Sequence, residues 1–403
     1  MESYFLSSAS AIDVARAIFY VAAGLLLYTW LLYPAVLAIL PARRSPADPA
    51  SGTTGPRFPF VSVVVAAYNE EDAIESKIRG FLANTYPGQS ELLIVSDGST
   101  DRTVEIASRF ISSRVRVFGE SGRRGKGAAL ALAEPYARGE IVVFTDATSV
   151  FAPHTLTELV RPFEDDRVGL VTGRVQVEGC PIAGLYRHYE NVIEHLEQRG
   201  GVISTAHGCV YALRRSLWLP HDPRLTNDFF HPIFVNLRGF DVVVAPEAVC
   251  VEAYSPEPEI QFSRQVRMVA LAAFVYLKYF PVLLHDRKWR SLLILTSHKL
   301  MRWFTVPYLV LIGISAARLA GYGTIYTAAL GAELLCVAVA AAGALIKDLR
   351  KHSRVSFVTD FVTLNVAGTF GLWKACRRQL PTVWETTSTP VSAATSLRQE
   401  PVK

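Results

Sequence analysis

Charge is what this sequence has least of. Only 19% of its 403 residues are charged, against 50% hydrophobic, whereas an ordinary soluble chain is about 25% charged. The shortfall is uneven. Residues 56–260 carry the polar loops of a soluble domain, and long uncharged runs lie on both sides of them. Cysteine is also scarce. The five (Cys180, Cys209, Cys250, Cys336 and Cys376) lie far apart without a C-x-x-C pair, which argues against a zinc framework or a disulfide scaffold and suits a reducing cytosolic setting. No basic face with interleaved aromatics occurs in the soluble part, so a nucleic-acid partner is not expected.

Two phosphate-binding signatures are missing as well. Glu120 stands where the first glycine of a P-loop belongs, Gly127 replaces its hydroxyl residue, and no G-x-G-x-x-G follows the first predicted strand.

The apolar runs are where the uncharged residues collect. Residues 17–42 contain no charged side chain, enough to cross a bilayer at about 20 residues per span. A cleaved signal peptide fits less well, because the run is too long, its charges follow it and no A-x-A-like site appears. Arg43 and Arg44 then predict that the next domain is cytosolic. After Glu259 the stretch IQFSRQVRMVALAAFVYLKYF is amphipathic and reads as a helix lying at the membrane surface. Residues 303–317 are uncharged but short for a span, flanked by His298, Lys299, Arg302 and Arg318, which can snorkel. Residues 319–346 are apolar except for Glu333 and read as a return span. The last apolar stretch, 355–373, holds Asp360 and Asn365 and reads either as spanning or as re-entrant. Basic residues flank these runs (Lys347, Arg350, Lys351, Arg354; Lys374, Arg377, Arg378) as positive-inside charges do.

The expected organisation is a transmembrane anchor over 1–44, a Pro/Gly/Ser/Thr-rich linker over 45–58 and a cytosolic α/β domain over 59–258. Amphipathic interface helices over 259–302 and a C-terminal membrane region and polar tail over 303–403 complete it. Such a chain is a multi-pass protein of the inner (plasma) membrane.

Inside 59–258 apolar runs alternate with helical stretches. FVSVVVAA (60–67), ELLIVS (91–96), VRVF (115–118) and IVVFT (141–145) read as buried strands, with helices near 70–83, 101–110 and 125–137 between them. Such βαβ units build a parallel sheet, and ligands of such sheets bind at the carboxyl ends of the strands. Four polar motifs fall at those positions: Tyr68-Asn69-Glu70-Glu71, Ser96-Asp97-Gly98-Ser99-Thr100-Asp101, Asp146-Ala147-Thr148, and Arg124-Gly125-Lys126-Gly127 opening a helix. Asp-Gly-Ser alone is ordinary turn and cap chemistry. Joint placement at consecutive strand ends points to a ligand site.

In this order, and with LTNDFF and a basic Gln261-x-x-Arg264 element downstream, the motifs over about 59–270 resemble the family-2 glycosyltransferases. The resemblance implies a GT-A fold, a Rossmann-like nucleotide-diphospho-sugar transferase domain, here between transmembrane helices at both ends. It implies that Ala67, Tyr68, Glu70 and Asp97 contact the nucleoside, with Lys126 near the base and Arg264 and Arg267 on the diphosphate. The family's D-x-D motif supplies carboxylates for a divalent cation. Here Thr148 replaces the second carboxylate, so Mg²⁺ or Mn²⁺ would be held by Asp146 and the donor phosphates.

Asp228 takes the place of the family's general base, for which a helix cap at Asn227 or Asp228 is the competing reading. His207 and Cys209 lie in a segment that lines the acceptor side in relatives, where a satisfied buried histidine is equally consistent. Gln265 replaces the tryptophan of the processive synthases' Q-x-x-R-W element. That departure favours single-sugar transfer from a nucleotide sugar, UDP-linked by preference, to a glycan or lipid-linked acceptor among membrane lipids. The alternatives are a polyprenyl-phosphate glycosyltransferase, a processive polysaccharide synthase, and an inactive membrane scaffold that keeps the fold.

Overall fold

A computed structural model describes residues 2–42, 57–119, 122–178, 181–219, 222, 224–253, 258–350 and 352–381. Arg43, Arg44, Glu120, Cys180, Lys351, most of the predicted linker and the predicted polar tail after 381 lie outside the described residues. The chain divides into two compact units, one containing the α/β segment and the other containing helices from both chain ends.

The α/β unit is built on one eight-stranded sheet, ordered β3-β2-β1-β4-β7-β6-β8-β5. Its strands are β1 (Val61–Ala67), β2 (Ser90–Ser96), β3 (Val115–Gly119), β4 (Ile141–Asp146), β5 (Val150–Phe151), β6 (Val168–Glu178), β7 (Tyr211–Arg214) and β8 (Asp241–Ala253). The first half, β3-β2-β1-β4, is parallel throughout, as the unbroken β-branched runs required. Every residue of β1 and β2 is buried. Successive residues of β1 enter opposite cores: Val63 and Val65 join Ile78, Leu92 and Val143, while Val64 joins Leu93, Leu130, Phe144 and Trp218. The second half is mixed, with β7 antiparallel to both β4 and β6.

Register decides where the polar motifs meet. Ala66 pairs with Asp146, and Ala67 with Ser96. The carboxyl ends of β1, β2 and β4 are therefore level, and Tyr68, Asp97 and Asp146 emerge along one edge.

In the helical unit, Glu2–Leu27 runs through a π-helical turn, Tyr28–Leu32, into Tyr33–Ile39. Ala15, Phe19 and Ala22 pack with Ile312, Ala316, Leu319 and Tyr326. Among the described residues four helices are long and apolar enough to cross a membrane: Ala11–Ile39, Glu259–His285, Thr324–Leu345 and Ser353–Cys376. Trp289–Trp303 and Thr305–Arg318 pass the same test together but are bent by 56°, which accounts for the shortness of the 303–317 run. The stretch after Glu259, expected at the membrane surface, thus also has the length and composition of a span. In Ser353–Cys376 Asp360 and Asn365 find partners nearby along the chain. Asp360 accepts from Arg350 at 2.7 Å and from Ser356 at 3.2 Å, and Asn365 donates to the Phe361 carbonyl at 2.7 Å.

Candidate active site

The turn after β1 is locked to the turn after β2. Asn69 adopts a left-handed conformation (φ 51°), which asparagine tolerates better than most residues, and its Oδ1 accepts from the Thr100 N–H at 2.8 Å. The Glu70 N–H donates to Thr103 Oγ1 at 2.7 Å, and the Glu71 N–H to Asp101 Oδ2 at 3.1 Å. Gly98 is required on two counts. Its φ is +73°, and a Cβ there would lie 2.7 Å from the Gly122 carbonyl carbon.

Asp97 is 1% exposed. Its carboxylate accepts from the Arg124 N–H at 2.8 Å and from the Gly125 N–H at 2.9 Å, fastening the loop that opens the helix Lys126–Ala133. Its own N–H donates to the Ala67 carbonyl at 2.9 Å. Ala67 and Asp97 thus tie β1, β2 and the Arg124–Lys126 loop together. From that helix start Lys126 reaches Asp146, and the two form an ion pair. The Arg123 guanidinium lies 3.8 Å from the centre of the Tyr68 ring.

Glu70 differs from Glu91, another buried carboxylate of the parallel half of the sheet. Glu91, at the start of β2, is satisfied by Ser62, Arg138 and Arg116. Burial alone would raise it, but those donors hold its carboxyl below the usual range. Glu70 is 8% exposed, and its Oε2 is buried with no hydrogen-bond partner. Burial, and then the Asp146, Asp101 and Asp72 carboxylates, push its carboxyl up to about 7. An orphaned acceptor at a strand end has the chemistry to take a ligand hydroxyl.

Asp228 is the second residue of the helix Asn227–Leu237, whose N-cap position is Thr226, so neither Asn227 nor Asp228 is the cap. Thr226 Oγ1 donates to Asp228 Oδ1 at 2.5 Å. The Asp228 main-chain carbonyl accepts from the Ala206 N–H at 2.8 Å and from Thr205 Oγ1 at 3.2 Å. The 205–210 loop is thereby stapled to this helix. His207 Nε2 lies 3.2 Å from Glu194 Oε2, and both side chains are largely buried. Cys209 is 4% exposed and belongs to the sheet core. Its thiol is raised first by a hydrogen bond with Cys250 and then by burial. It is a core residue rather than part of an open acceptor surface. Burial pushes the Tyr211 phenol well above its usual range, and the Asp228 and Asp146 carboxylates add to the shift. Arg264 is exposed and Arg267 half-buried on the helix Pro258–His285; they fall in the helical unit.

Sequence reasoning missed Glu194, Arg123 and Lys77. Lys77 is the one with a legible signal, because it falls among Ile74, Ile78 and Phe81 on the buried stripe of its helix. Its ammonium donates to Thr145 Oγ1 at 2.7 Å and to the Ser149 carbonyl at 2.8 Å. Burial pushes it down to about 8.

As a cation site the donor set is thin. Among the described residues no group of three or more His, Cys, Asp or Glu side chains could hold a metal ion. One carboxylate, Asp146, and the neutral Thr148 fit a hard cation whose remaining oxygen ligands arrive with a diphosphate.

Comparison with known proteins agrees with this geometry. The description glycosyl transferase family 2 matches residues 62–218. The chain is 36% identical over 122 residues to a β-monoglucosyldiacylglycerol synthase of Nostoc, covering 29% of this chain and 26% of that one. It is 26% identical over 204 residues to a poly-β-1,6-N-acetyl-D-glucosamine synthase of Staphylococcus aureus, covering 47% and 49%. The matches therefore span a quarter to a half of the length of these curated relatives. The fold is that of a mannosyltransferase from Pyrobaculum calidifontis, solved with GDP-Man and Mn²⁺ (TM-score 0.64, 24% identity, 90% of this chain and 99% of that one). Residues 62–218 are a family 2 glycosyl transferase domain of GT-A-like fold, carried by a chain with helices of membrane-spanning length.

Proposed function

We propose that this protein transfers a single sugar, with inversion, from a nucleotide sugar to a glycan or lipid-linked acceptor at the membrane surface, in the building of envelope or extracellular polysaccharide. The observation that carries the proposal is the level register of β1, β2 and β4, which gathers Tyr68, Glu70, Asp97, Lys126 and Asp146 at one sheet edge.

The nucleoside is taken by the β1 and β2 ends. The Tyr68 ring offers a stacking face, and Glu70 Oε2 accepts a ribose hydroxyl. Asp97 acts mainly by holding the Arg124–Lys126 loop in place. Lys126, now paired with Asp146, meets the diphosphate. A bound Mg²⁺ or Mn²⁺, held by Asp146 beside Thr148, would neutralise charge on the departing diphosphate. Asp228 takes the proton of the acceptor hydroxyl while the acceptor oxygen bonds the anomeric carbon. The bond from that carbon to the diphosphate oxygen breaks, and the nucleoside diphosphate leaves.

A UDP-linked donor is the preferred reading. The names of the two curated relatives, a glycolipid synthase and a glycan synthase, support the two acceptor classes. The membrane-length helices support a multi-pass chain; its place in the plasma membrane with the catalytic domain on the cytosolic side is the reading of the basic flanks.

The test is a donor-hydrolysis and transfer screen across nucleotide sugars, in membranes containing the protein and its Asp228→Asn variant. Transfer by the parent and its loss in the variant is the expected result. Transfer that survives in Asp228→Asn would point to an acceptor already ionised, such as a polyprenyl phosphate.

A further inference from the structure

We propose that Lys77 is a positioning residue for the turn Asp146–Ser149, setting from behind the strand end that receives the donor diphosphate. The inference rests on the donor-site reading above.

The helix Ile74–Leu82 buries Ile74, Lys77, Ile78 and Phe81 along one face, so an ammonium enters the core on an apolar stripe. Lys77 is 8% exposed. Burying such a cation costs several kcal/mol unless hydrogen bonds compensate it. An ammonium has three protons to place, and the structure supplies acceptors for each. Lys77 Nζ lies 2.7 Å from Thr145 Oγ1, 2.8 Å from the Ser149 carbonyl and 3.2 Å from Ser149 Oγ. The Phe151 ring faces it at 4.5 Å.

These acceptors bracket Asp146. Thr145 precedes it on β4, and Ser149 returns to it, donating from Oγ to the Asp146 carbonyl at 2.9 Å and from its N–H at 3.4 Å. The chain leaves β4 at Asp146 and enters β5 at Val150. Lys77 therefore grips both ends of the turn that carries Asp146 and Thr148. A methionine would fill the same stripe and leave the turn without that grip. With a single carboxylate on the turn, its placement matters more than where two share the task.

The experiment is calorimetry of the full-length protein in detergent with UDP and with GDP, each with Mn²⁺. The parent is compared with Lys77→Met, Lys77→Arg, Ser149→Ala and the Lys77→Met/Ser149→Ala double variant. Lys77→Met is expected to weaken binding of whichever nucleotide the parent binds by about tenfold or more. Ser149→Ala should weaken it by about threefold, and Lys77→Arg, whose planar guanidinium cannot reproduce the ammonium's three bonds, should recover only part of the loss. The double variant should bind no more weakly than Lys77→Met alone, because both changes cut one linkage. A merely structural lysine would lower the melting temperature and leave the affinity of the folded protein unchanged. Parental affinity in folded Lys77→Met, or losses that add in full, overturn the proposal. If Lys77→Met does not fold, Ser149→Ala decides, and parental affinity there overturns it. A parent that binds neither nucleotide overturns the donor-site reading itself, and this inference with it.

Discussion

Gly208 lies directly under the Asp228 carboxylate: a Cβ built on the glycine would stand 3.0 Å from Asp228 Oδ2. The carboxylate is thus held from two sides, by Thr226 Oγ1 at Oδ1 and by bare backbone beneath Oδ2. Gly208→Ala is expected to push the carboxylate by a few tenths of an ångström and lower kcat about tenfold, with little change in melting temperature. Asp228→Asn should cost about 10²–10⁴-fold, as loss of a general base does. Steady-state kinetics with thermal melts of both variants checks this.

The Lys126–Asp146 pair contributes little to the stability of the fold. Both side chains are about a third exposed (35% and 30%), so the pair contributes at most about 1 kcal/mol to stability. Lys126→Met should leave the melting temperature within a few degrees of the parent and raise the donor KM about tenfold. Thr148→Asp restores a second carboxylate to the turn and should lower the Mn²⁺ concentration for half-maximal activation about tenfold. A metal titration of the variant reads the outcome directly.

Glu70 makes stability and binding depend on pH in opposite senses. Its folded carboxyl titrates near 7, above the ordinary carboxylate range, so the folded state holds a proton that the unfolded chain releases. Stability therefore falls as pH rises from about 4.5 to about 7 and then levels off, a loss on the order of 1–3 kcal/mol. Glu70→Gln should flatten that segment of the profile and melt higher at neutral pH. Nucleotide binding, which needs the ionised acceptor, should strengthen through pH 7 in the parent alone. Melts and calorimetry between pH 5 and 8 test both halves.

Tyr68 offers one ring face to the Arg123 guanidinium at 3.8 Å. If the ring carries the base, Tyr68→Ala weakens UDP binding by about 1–3 kcal/mol, while Tyr68→Phe keeps most of it. Equal binding by the alanine variant would remove Tyr68 from the site.

The parallel half of the sheet was legible because its signals are local. Runs such as FVSVVVAA can be buried only between helices, and β1, β2, β3 and β4 fell within a residue or two of where those runs lie. The polar motifs at their ends followed from the same rule. Only the burial of Lys77 was legible, from its place on the apolar stripe; its partners Thr145 and Ser149 are 68 and 72 residues away along the chain, and no periodicity encodes that meeting. Glu194 and His207 stand only 13 residues apart, but they meet across the loop after a helix, which no periodicity encodes either. Cys209 was expected beside an acceptor, yet the turn before β7 carries it into the sheet core. The stretch after Glu259 was ambiguous for a different reason. Arginines near one end make a long apolar helix look amphipathic, although its length and hydropathy also satisfy a span.

Local chemistry, then, was enough for the fold class, the strand ends that carry the polar motifs, and the apolar runs of membrane-spanning length, because hydrophobic periodicity and turn residues act over a few positions. The tertiary fold chose which of those groups meet. Strand register levelled Tyr68, Asp97 and Asp146, loop closure bound Asp97 to the Arg124–Gly125 backbone, and burial left Glu70 without a donor. Those outcomes depend on contacts between distant segments, whose energies no single stretch of sequence contains.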